Sequence, residues 1–179
     1  MMIPQKEFYF LRHGQTDYNL KEVEIVDHPP SIPLNATGRS QALRIEPIIA
    51  QLPIKTVCYS PMLRALQTKE MIALRLTASQ FPLPDLGECS ALVWKLMPEW
   101  KERALTASDQ PVSLFLQRVL RGFQSALAYE GPVLIIAHGG IHWALCSILN
   151  ISGHDWMTDN CVPVHFYLEH GEWRARNLF

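Results

Sequence analysis

An arginine, a histidine and a glycine stand in a row at the end of an apolar run, where Phe8-Tyr9-Phe10-Leu11 leads straight into Arg12-His13-Gly14. Such a run reads as a buried parallel strand, with Gly14 allowing the chain to turn sharply just past His13. A histidine at the carboxyl end of a strand lies where open α/β sheets place their ligands. There an imidazole can attack phosphorus once its other ring nitrogen is tied down, and a neighbouring guanidinium neutralises phosphate oxygens. His138 stands in a corresponding place, after the apolar run Val133-Leu134-Ile135-Ile136-Ala137 and before Gly139-Gly140. Arg64 follows Ser60-Pro61 near the start of an expected helix, from which its guanidinium can turn toward the same crevice. Each residue has a plainer explanation alone: a turn-capping histidine, a solvated arginine, a core histidine. Two Arg and two His at matching strand and helix ends, with no metal-ligand cluster, point instead to phosphate.

The chemistry follows from that inventory. Phosphoryl transfer spreads charge over three equatorial oxygens, so positioning and charge neutralisation supply most of the catalysis. His13 would attack through Nε2, which requires Nδ1–H to donate to a backbone carbonyl. Water would then attack the phosphohistidine and release phosphate.

The elements that must position these residues are short apolar strands alternating with helical patterns, the mark of βαβ units around a mostly parallel sheet. After the first strand comes a polar, proline-containing loop from about Lys21 to Pro33. Thr37 to Gln51 reads as a helix that Pro47 should kink or restart. Ile54 to Tyr59 reads as a second strand, and Ser60-Pro61 offers a capping hydroxyl before a proline suited to a first helical turn. Leu63, Leu66, Met71 and Leu74 approximate the apolar face of the next helix. Leu116, Leu120, Phe123 and Leu127 give a clearer amphipathic pattern for a helix ending near Tyr129. Val133 to Ala137 reads as a central strand, Ile141 to about Leu149 as a helix, and Val164 to Leu168 with Glu172 to Arg176 as a strand pair turning at His170-Gly171.

Composition agrees with this placement. A chain of 179 residues, 48% hydrophobic and 18% charged, is globular and of ordinary domain size. A formal net charge of -1 argues against a dedicated binder of nucleic acid or anionic membranes. No early stretch reads as a secretory signal and no apolar run approaches the roughly 20 residues of a membrane span, so a cytoplasmic location is expected. Cys58, Cys89, Cys146 and Cys161 lack C-x-x-C spacing and read as buried reduced thiols; of the four, only Cys89, beside a candidate catalytic carboxylate, has a place that suggests reactivity. His142 reads as structural, and His28, His154, His165 and His170 as surface or packing residues.

Four blocks resemble, in order, the histidine phosphatase superfamily, also called phosphoglycerate-mutase-like proteins. They are Leu11-Arg12-His13-Gly14-Gln15-Thr16-Asp17-Tyr18-Asn19, Pro33-Leu34-Asn35-Ala36-Thr37-Gly38-Arg39-Ser40-Gln41-Ala42, Tyr59-Ser60-Pro61-Met62-Leu63-Arg64-Ala65-Leu66-Gln67-Thr68 and Ala137-His138-Gly139-Gly140. The resemblance runs from about Phe8 to the C-terminus, apart from segments near residues 22 to 32 and 89 to 111. It implies an α/β fold, a three-layer α/β/α sandwich with a mostly parallel central sheet, in one domain over residues 1–179 with a small cap segment at about 85–111. It further implies a phosphomonoesterase that needs no metal or cofactor and works through a phosphohistidine on His13. Arg12, Arg64 and His138 would hold the phosphate oxygens, with Asn19 as another phosphate contact.

The family usually takes the leaving-group proton from a carboxylic acid about two dozen residues past the second arginine. Glu88, in Leu86-Gly87-Glu88-Cys89, stands there; Asp85 competes, and a plain surface carboxylate is the alternative. Where the family often has a glycine and then Trp-Glu-Gly, this chain has Leu92 and Trp94-Lys95-Leu96, so Trp94 matches and the glycines are missing. Only 73 residues separate Arg64 from His138, whereas the mutases of the family carry longer insertions there, so phosphatase is favoured over mutase. Trp94, Trp100 and Trp143 are candidate walls of an apolar pocket. The expected partner is a small phosphorylated metabolite, with no nucleic acid and no membrane; the oligomeric state is open. The alternatives are a protein phosphohistidine phosphatase, a mutase-type phosphoryl transferase and a catalytically silent phosphate-binding module.

Overall fold

A computed structural model describes residues 3–19, 27, 29–100 and 110–179 of the chain. Its centre is a six-stranded sheet of β1 (Phe8–Arg12), β2 (Thr56–Tyr59), β3 (Ser79–Pro82), β4 (Val133–Ala137), β5 (Pro163–Glu169) and β6 (Glu172–Asn177), in the order β3-β2-β4-β1-β5-β6. β3, β2, β4 and β1 run parallel, while β5 and β6 extend the sheet antiparallel beyond β1. Five helices accompany it: α1 (Ala36–Ile49), α2 (Leu63–Ile72), α3 (Ala91–Trp100), α4 (Gln110–Leu127) and α5 (Gly139–Ile148).

The pleat of the strands explains the layers. Successive side chains face opposite sides of a strand, so β1 turns Phe8 and Phe10 to one face and Tyr9 and Leu11 to the other. The first face packs against Val119, Phe123, Ala144 and Leu145 of α4 and α5, the second against Ala42, Ile45, Ala65 and Ile72 of α1 and α2. The mixed α/β architecture expected from the sequence is therefore observed. β1 and β4 are neighbours with Arg12 opposite Ala137, so the residues that follow each strand, His13 and His138, leave the sheet side by side.

Several local expectations need correction. Gly14 does not adopt a positive φ; it is small because α1 comes down on it, and a Cβ there would lie 2.5 Å from the Gly38 carbonyl oxygen. A Cβ on Gly38 would in turn overlap the Gln15 carbonyl. This backbone-to-backbone contact seats the N-terminus of α1, capped by Asn35 Oδ1 on Gly38 N–H at 2.9 Å, against the histidine turn. Pro47 does not restart α1 but lies in its last turn; the carbonyl it deprives of a partner belongs to Leu43, whose residue is 56% exposed and so open to water. Ser60 does not cap α2, whose N-cap is Met62 without a side-chain bond. Leu74, read as part of the apolar face of α2, is 73% exposed, and the buried face is instead Arg64, Ala65, Thr68 and Ile72.

β3 and α3 were not apparent from the sequence. β3 is a short edge strand with largely exposed residues, and α3 is a helix where the family's glycines are replaced by good helix formers, Ala91-Leu92-Val93-Trp94-Lys95-Leu96. The β5–β6 hairpin turns at His170 and Gly171, both at positive φ, as a type I′ turn requires. His28, most of the loop from Lys21 to Pro33 and residues 101 to 109 of the cap segment lie outside the described residues.

Candidate active site

His13 is 3% exposed, Arg64 1% and His138 0%, a burial that polar groups tolerate only with partners. The Gly14 carbonyl accepts from His13 Nδ1 at 2.7 Å. A carbonyl can only accept, so Nδ1 carries the proton and Nε2 keeps its lone pair. Arg64 Nε donates to that Nε2 at 3.2 Å. The remaining arms of Arg64 meet the Pro29 carbonyl at 3.3 Å and Met62 Sδ at 3.4 Å, a distant carbonyl and a weak thioether acceptor. Thr68 locks this pair from behind, accepting from Gly14 N–H at 3.0 Å and donating to the Arg64 carbonyl at 2.8 Å.

The His138 ring lies 5.2 Å from that of His13, centroid to centroid. Its Nε2 is 2.7 Å from Ser60 Oγ, which explains what the Ser60 hydroxyl does in place of capping. His138 Nδ1 and Arg12 Nε are buried without a hydrogen-bond partner among the described residues. Buried unsatisfied nitrogens are rare and mark a missing partner. Arg12 also donates from its terminal nitrogen to the Thr158 carbonyl at 2.8 Å. Burial lowers the proton affinity of both guanidinium groups, Glu88 offsets this as their shared counter-charge, and Arg12 lowers Arg64 further. The crevice is thus locally cationic in a chain of formal net charge -1.

Glu88 stands at the same end of the sheet. Its Oε1 accepts from Cys89 N–H at 2.9 Å and from Gly140 N–H, in the first turn of α5, at 3.2 Å. Burial pushes its carboxyl above the ordinary range, against the pull of the Cys89 N–H and of Arg64 and Arg12. Burial, then the charges of His13 and the arginines, hold His138 well below the usual imidazole range, so it is neutral near pH 7. Asp85 has a different environment: its carboxylate faces Arg121 at 3.5 Å across a solvent-exposed pair, on a 3₁₀ turn (Pro84–Leu86) packed on Gly122 of α4.

Gly139 and Gly140 leave room for the cap to come close. A Cβ on Gly140 would overlap Glu88 Oε1 and lie 2.8 Å from Cys89 Sγ, and one on Gly139 would lie 3.3 Å from the Trp94 ring and 3.5 Å from Arg12 Cζ. Trp94 and Arg12 thus both border Gly139, whereas Trp143 is 3% exposed and packs edge-on to Trp156 in the core; the Trp100 side chain lies outside the described residues. Asn19 is held in its own loop, its Oδ1 accepting from Thr16 N–H at 2.9 Å and Thr16 Oγ at 3.1 Å. Cys89 is not reactive by environment: burial first, then Glu88, push its thiol far above the usual range. His142 donates from Nδ1 to the Trp156 carbonyl at 2.8 Å and is driven down to about 4 by burial, in keeping with a structural role.

The segment after α5 was missed. Asn160 Nδ2 donates to the His13 carbonyl at 2.7 Å, Cys161 N–H to the Arg12 carbonyl at 3.0 Å, and the Thr158 carbonyl receives Arg12. Nothing in the spacing of Asp159-Asn160-Cys161 announces this; it depends on β5 lying next to β1. Among the described residues no group of three or more His, Cys, Asp or Glu could hold a metal ion.

The buried Arg64 and the half-buried Arg12 meet two buried histidines where β1, β2 and β4 end, with a carboxyl group opposite, an arrangement suited to an anionic group. The chain belongs to the histidine phosphatase superfamily (branch 1), whose model matches residues 8–179. It is 28% identical over 184 residues to agropine synthesis reductase of Rhizobium rhizogenes, covering 89% of this chain and 39% of that protein. It is also 28% identical over 152 residues to the uncharacterized phosphatase PhoE of Bacillus subtilis, covering 81% and 77%. Among solved structures, phosphoglycerate mutase from Thermus thermophilus superposes with a TM-score of 0.65 at 25% identity, covering 97% of each chain. The chain spans about two fifths of the length of the first curated relatives it matches. Among the described residues no helix is long and apolar enough to cross a membrane.

Proposed function

We propose that the chain is a cytoplasmic phosphatase that hydrolyses the phosphomonoester of a small metabolite through a phosphohistidine on His13, without a metal or cofactor. The observation that carries this reading is the state of His13: Nδ1–H is committed to the Gly14 carbonyl at 2.7 Å, and Nε2 faces the Arg64 guanidinium at 3.2 Å. A nucleophile needs an unprotonated atom aimed at an electrophile held by cations, and this arrangement meets that need.

An entering phosphate draws Arg64 away from His13 Nε2 and its weak contacts into charge-assisted bonds, which frees the Nε2 lone pair, and supplies the partner that Arg12 Nε and His138 Nδ1 lack. With the Ser60 hydroxyl donating to His138 Nε2, the proton on Nδ1 is the one offered to phosphate. The Nε2 lone pair forms the N–P bond as the P–O bond to the leaving group breaks. Glu88, whose carboxyl is raised by burial, passes its proton to the departing oxygen. The resulting carboxylate then takes a proton from water as that water attacks phosphorus, the N–P bond breaks, and the electron pair returns to His13. Phosphate leaves and Glu88 is again protonated. Asn19 is a further phosphate contact in this reading, and Trp94 borders the leaving group. A panel of phosphomonoesters and a phosphohistidine peptide, assayed for phosphate release with EDTA present, tests it. Release from one or more esters supports the reading; release from the peptide alone, or loss of activity with EDTA, contradicts it.

A further inference from the structure

Where the Glu88 carboxyl sits depends on what holds the turn that carries it. The turn runs from Leu83 to Glu88. At its start Leu83 N–H donates to the Tyr59 carbonyl at 2.8 Å, and Leu86 and Gly87 N–H close a 3₁₀ turn onto Leu83 and Pro84. At its end the backbone meets Arg118 of α4. One terminal nitrogen of this arginine donates to the Asp85 carbonyl at 3.2 Å and the other to the Glu88 carbonyl at 3.1 Å. The guanidinium is a planar fork with fixed spacing between its donors, so gripping two carbonyls three residues apart fixes the rotation of the peptide segment between them.

The fork itself is seated. Its Cζ lies 5.1 Å from the centre of the Phe115 ring, one helical turn back. One turn forward, a Cβ on Gly122 would lie 3.0 Å from the Asp85 Cβ; a larger residue there would push the turn off the helix. A Cβ on Gly87 would lie 3.3 Å from the same Arg118 nitrogen. The face of α4 made by Phe115, Arg118 and Gly122 is thus shaped to the backbone that carries Glu88, while the Glu88 side chain points the other way, to Gly140 N–H.

We infer that Arg118 is a positioning residue that sets the proton donor: its bidentate hold on the Asp85 and Glu88 carbonyls keeps the Glu88 carboxyl at the first turn of α5, beside the histidine pair. It touches neither substrate nor reacting atoms. The inference rests on Glu88 being the donor, and the test separates the two.

Leaving groups report directly on proton donation, because nitrophenolate departs well without a proton and phenolate does not. The experiment compares kcat/KM for phenyl phosphate and 4-nitrophenyl phosphate in Arg118→Met, Arg118→Lys, Glu88→Gln and the Arg118→Met/Glu88→Gln double variant, with thermal midpoints alongside. General acid catalysis is worth about 10²- to 10⁴-fold, and a displaced acid forfeits part of it. Arg118→Met should therefore lose roughly 10- to 100-fold more on phenyl phosphate than on nitrophenyl phosphate. Lys, able to serve one carbonyl, should fall between Met and the parent. The double variant should show no selective loss beyond that of Glu88→Gln, since Arg118 acts only through Glu88. Selective loss in Glu88→Gln without any in the Arg118 variants overturns the inference and leaves the donor in place. No selective loss in any variant removes both. Equal losses on the two substrates, or a double variant worse by the product of its parents, reduces Arg118 to a packing residue. Should Arg118→Met fail to fold, the Lys variant decides by the same comparison.

Discussion

Replacing Arg64 by Lys keeps the charge and removes the geometry. Arg64 reaches His13 Nε2 from Nε and two further acceptors from its terminal nitrogens, so in the transition state it can give separate hydrogen bonds to two phosphoryl oxygens while a third donor stays near the nucleophile. A lysine ammonium is a single point on a flexible stem and can reproduce one of these. Charge-assisted hydrogen bonds contribute about 1.5–3 kcal/mol each, and loss of one preorganised oxyanion donor costs about 10²- to 10³-fold. One tenfold step is about 1.4 kcal/mol, so net loss of one to two bonds predicts a fall in kcat/KM of roughly 10²- to 10⁴-fold. Arg64 is 1% exposed, so the shorter, unpaired ammonium should also destabilise the fold, by about 1–3 kcal/mol for an unmet buried donor. Thermal unfolding separates this from the catalytic effect: activity is measured well below the variant's own midpoint, with nitrophenyl phosphate at saturating and subsaturating concentrations. Arg75→Lys is the control, since Arg75 is an exposed residue paired with Glu46 on the protein surface, and its activity should match the parent's. A folded Arg64→Lys protein that kept nearly all of the parent's activity would show that Arg64 does not grip the phosphoryl group.

Glu88→Gln should remove the alkaline limb of the kcat/KM profile for phenyl phosphate, because the acid must be protonated to act and its carboxyl is raised by burial; a limb that survives unchanged in the variant assigns it to another group. The same change should stabilise the fold near neutral pH. A carboxyl with a raised native pKa binds more protons folded than unfolded, so stability falls as pH climbs from its ordinary value of 4.5 through the raised one. The gain from Gln should therefore vanish below about pH 4.5, and urea unfolding at acid and neutral pH checks the sign. Gly140→Ala should cost activity on phenyl phosphate more than on nitrophenyl phosphate, since the new methyl overlaps Glu88 Oε1; equal retention on both would mean that the carboxyl need not sit on α5. Asn160→Ala should lower kcat more than it raises KM, because it releases the His13 carbonyl held at 2.7 Å without touching phosphate; a change confined to KM would assign Asn160 to binding.

What the sequence disclosed depended on how local the signal was. His13 and His138 could be placed because each ends a continuous apolar run, and two such runs pair in parallel in only a few ways. The family resemblance pointed to Glu88 by its distance from Arg64 without choosing it over Asp85, since three residues of separation become opposite surroundings only when α4 and α5 pack around the turn. Asn160, Thr68 and Ser60 were silent as partners of the site. Their roles rest on contacts between residues far apart in the chain, and a single hydroxyl or amide carries no periodicity. Gly38 and Gly140 were legible as small residues but not as the seats of Gln15 and Glu88. The helix α3 was overlooked because the cap was read against a glycine-bearing pattern, although its own residues favour helix.

The central claim is covalent: the phosphoryl group passes through Nε2 of His13. The direct measurement is a rapid quench in alkaline denaturant of the protein mixed with phosphoryl-labelled nitrophenyl phosphate, followed by peptide mapping. A phosphoramidate N–P bond withstands alkali and breaks once its nitrogen is protonated, unlike a serine phosphate ester. The account predicts label on the peptide containing His13, lost on mild acidification and absent from a His13→Asn variant. Label that survives acid, label on another peptide, or steady turnover in the His13→Asn protein would contradict it.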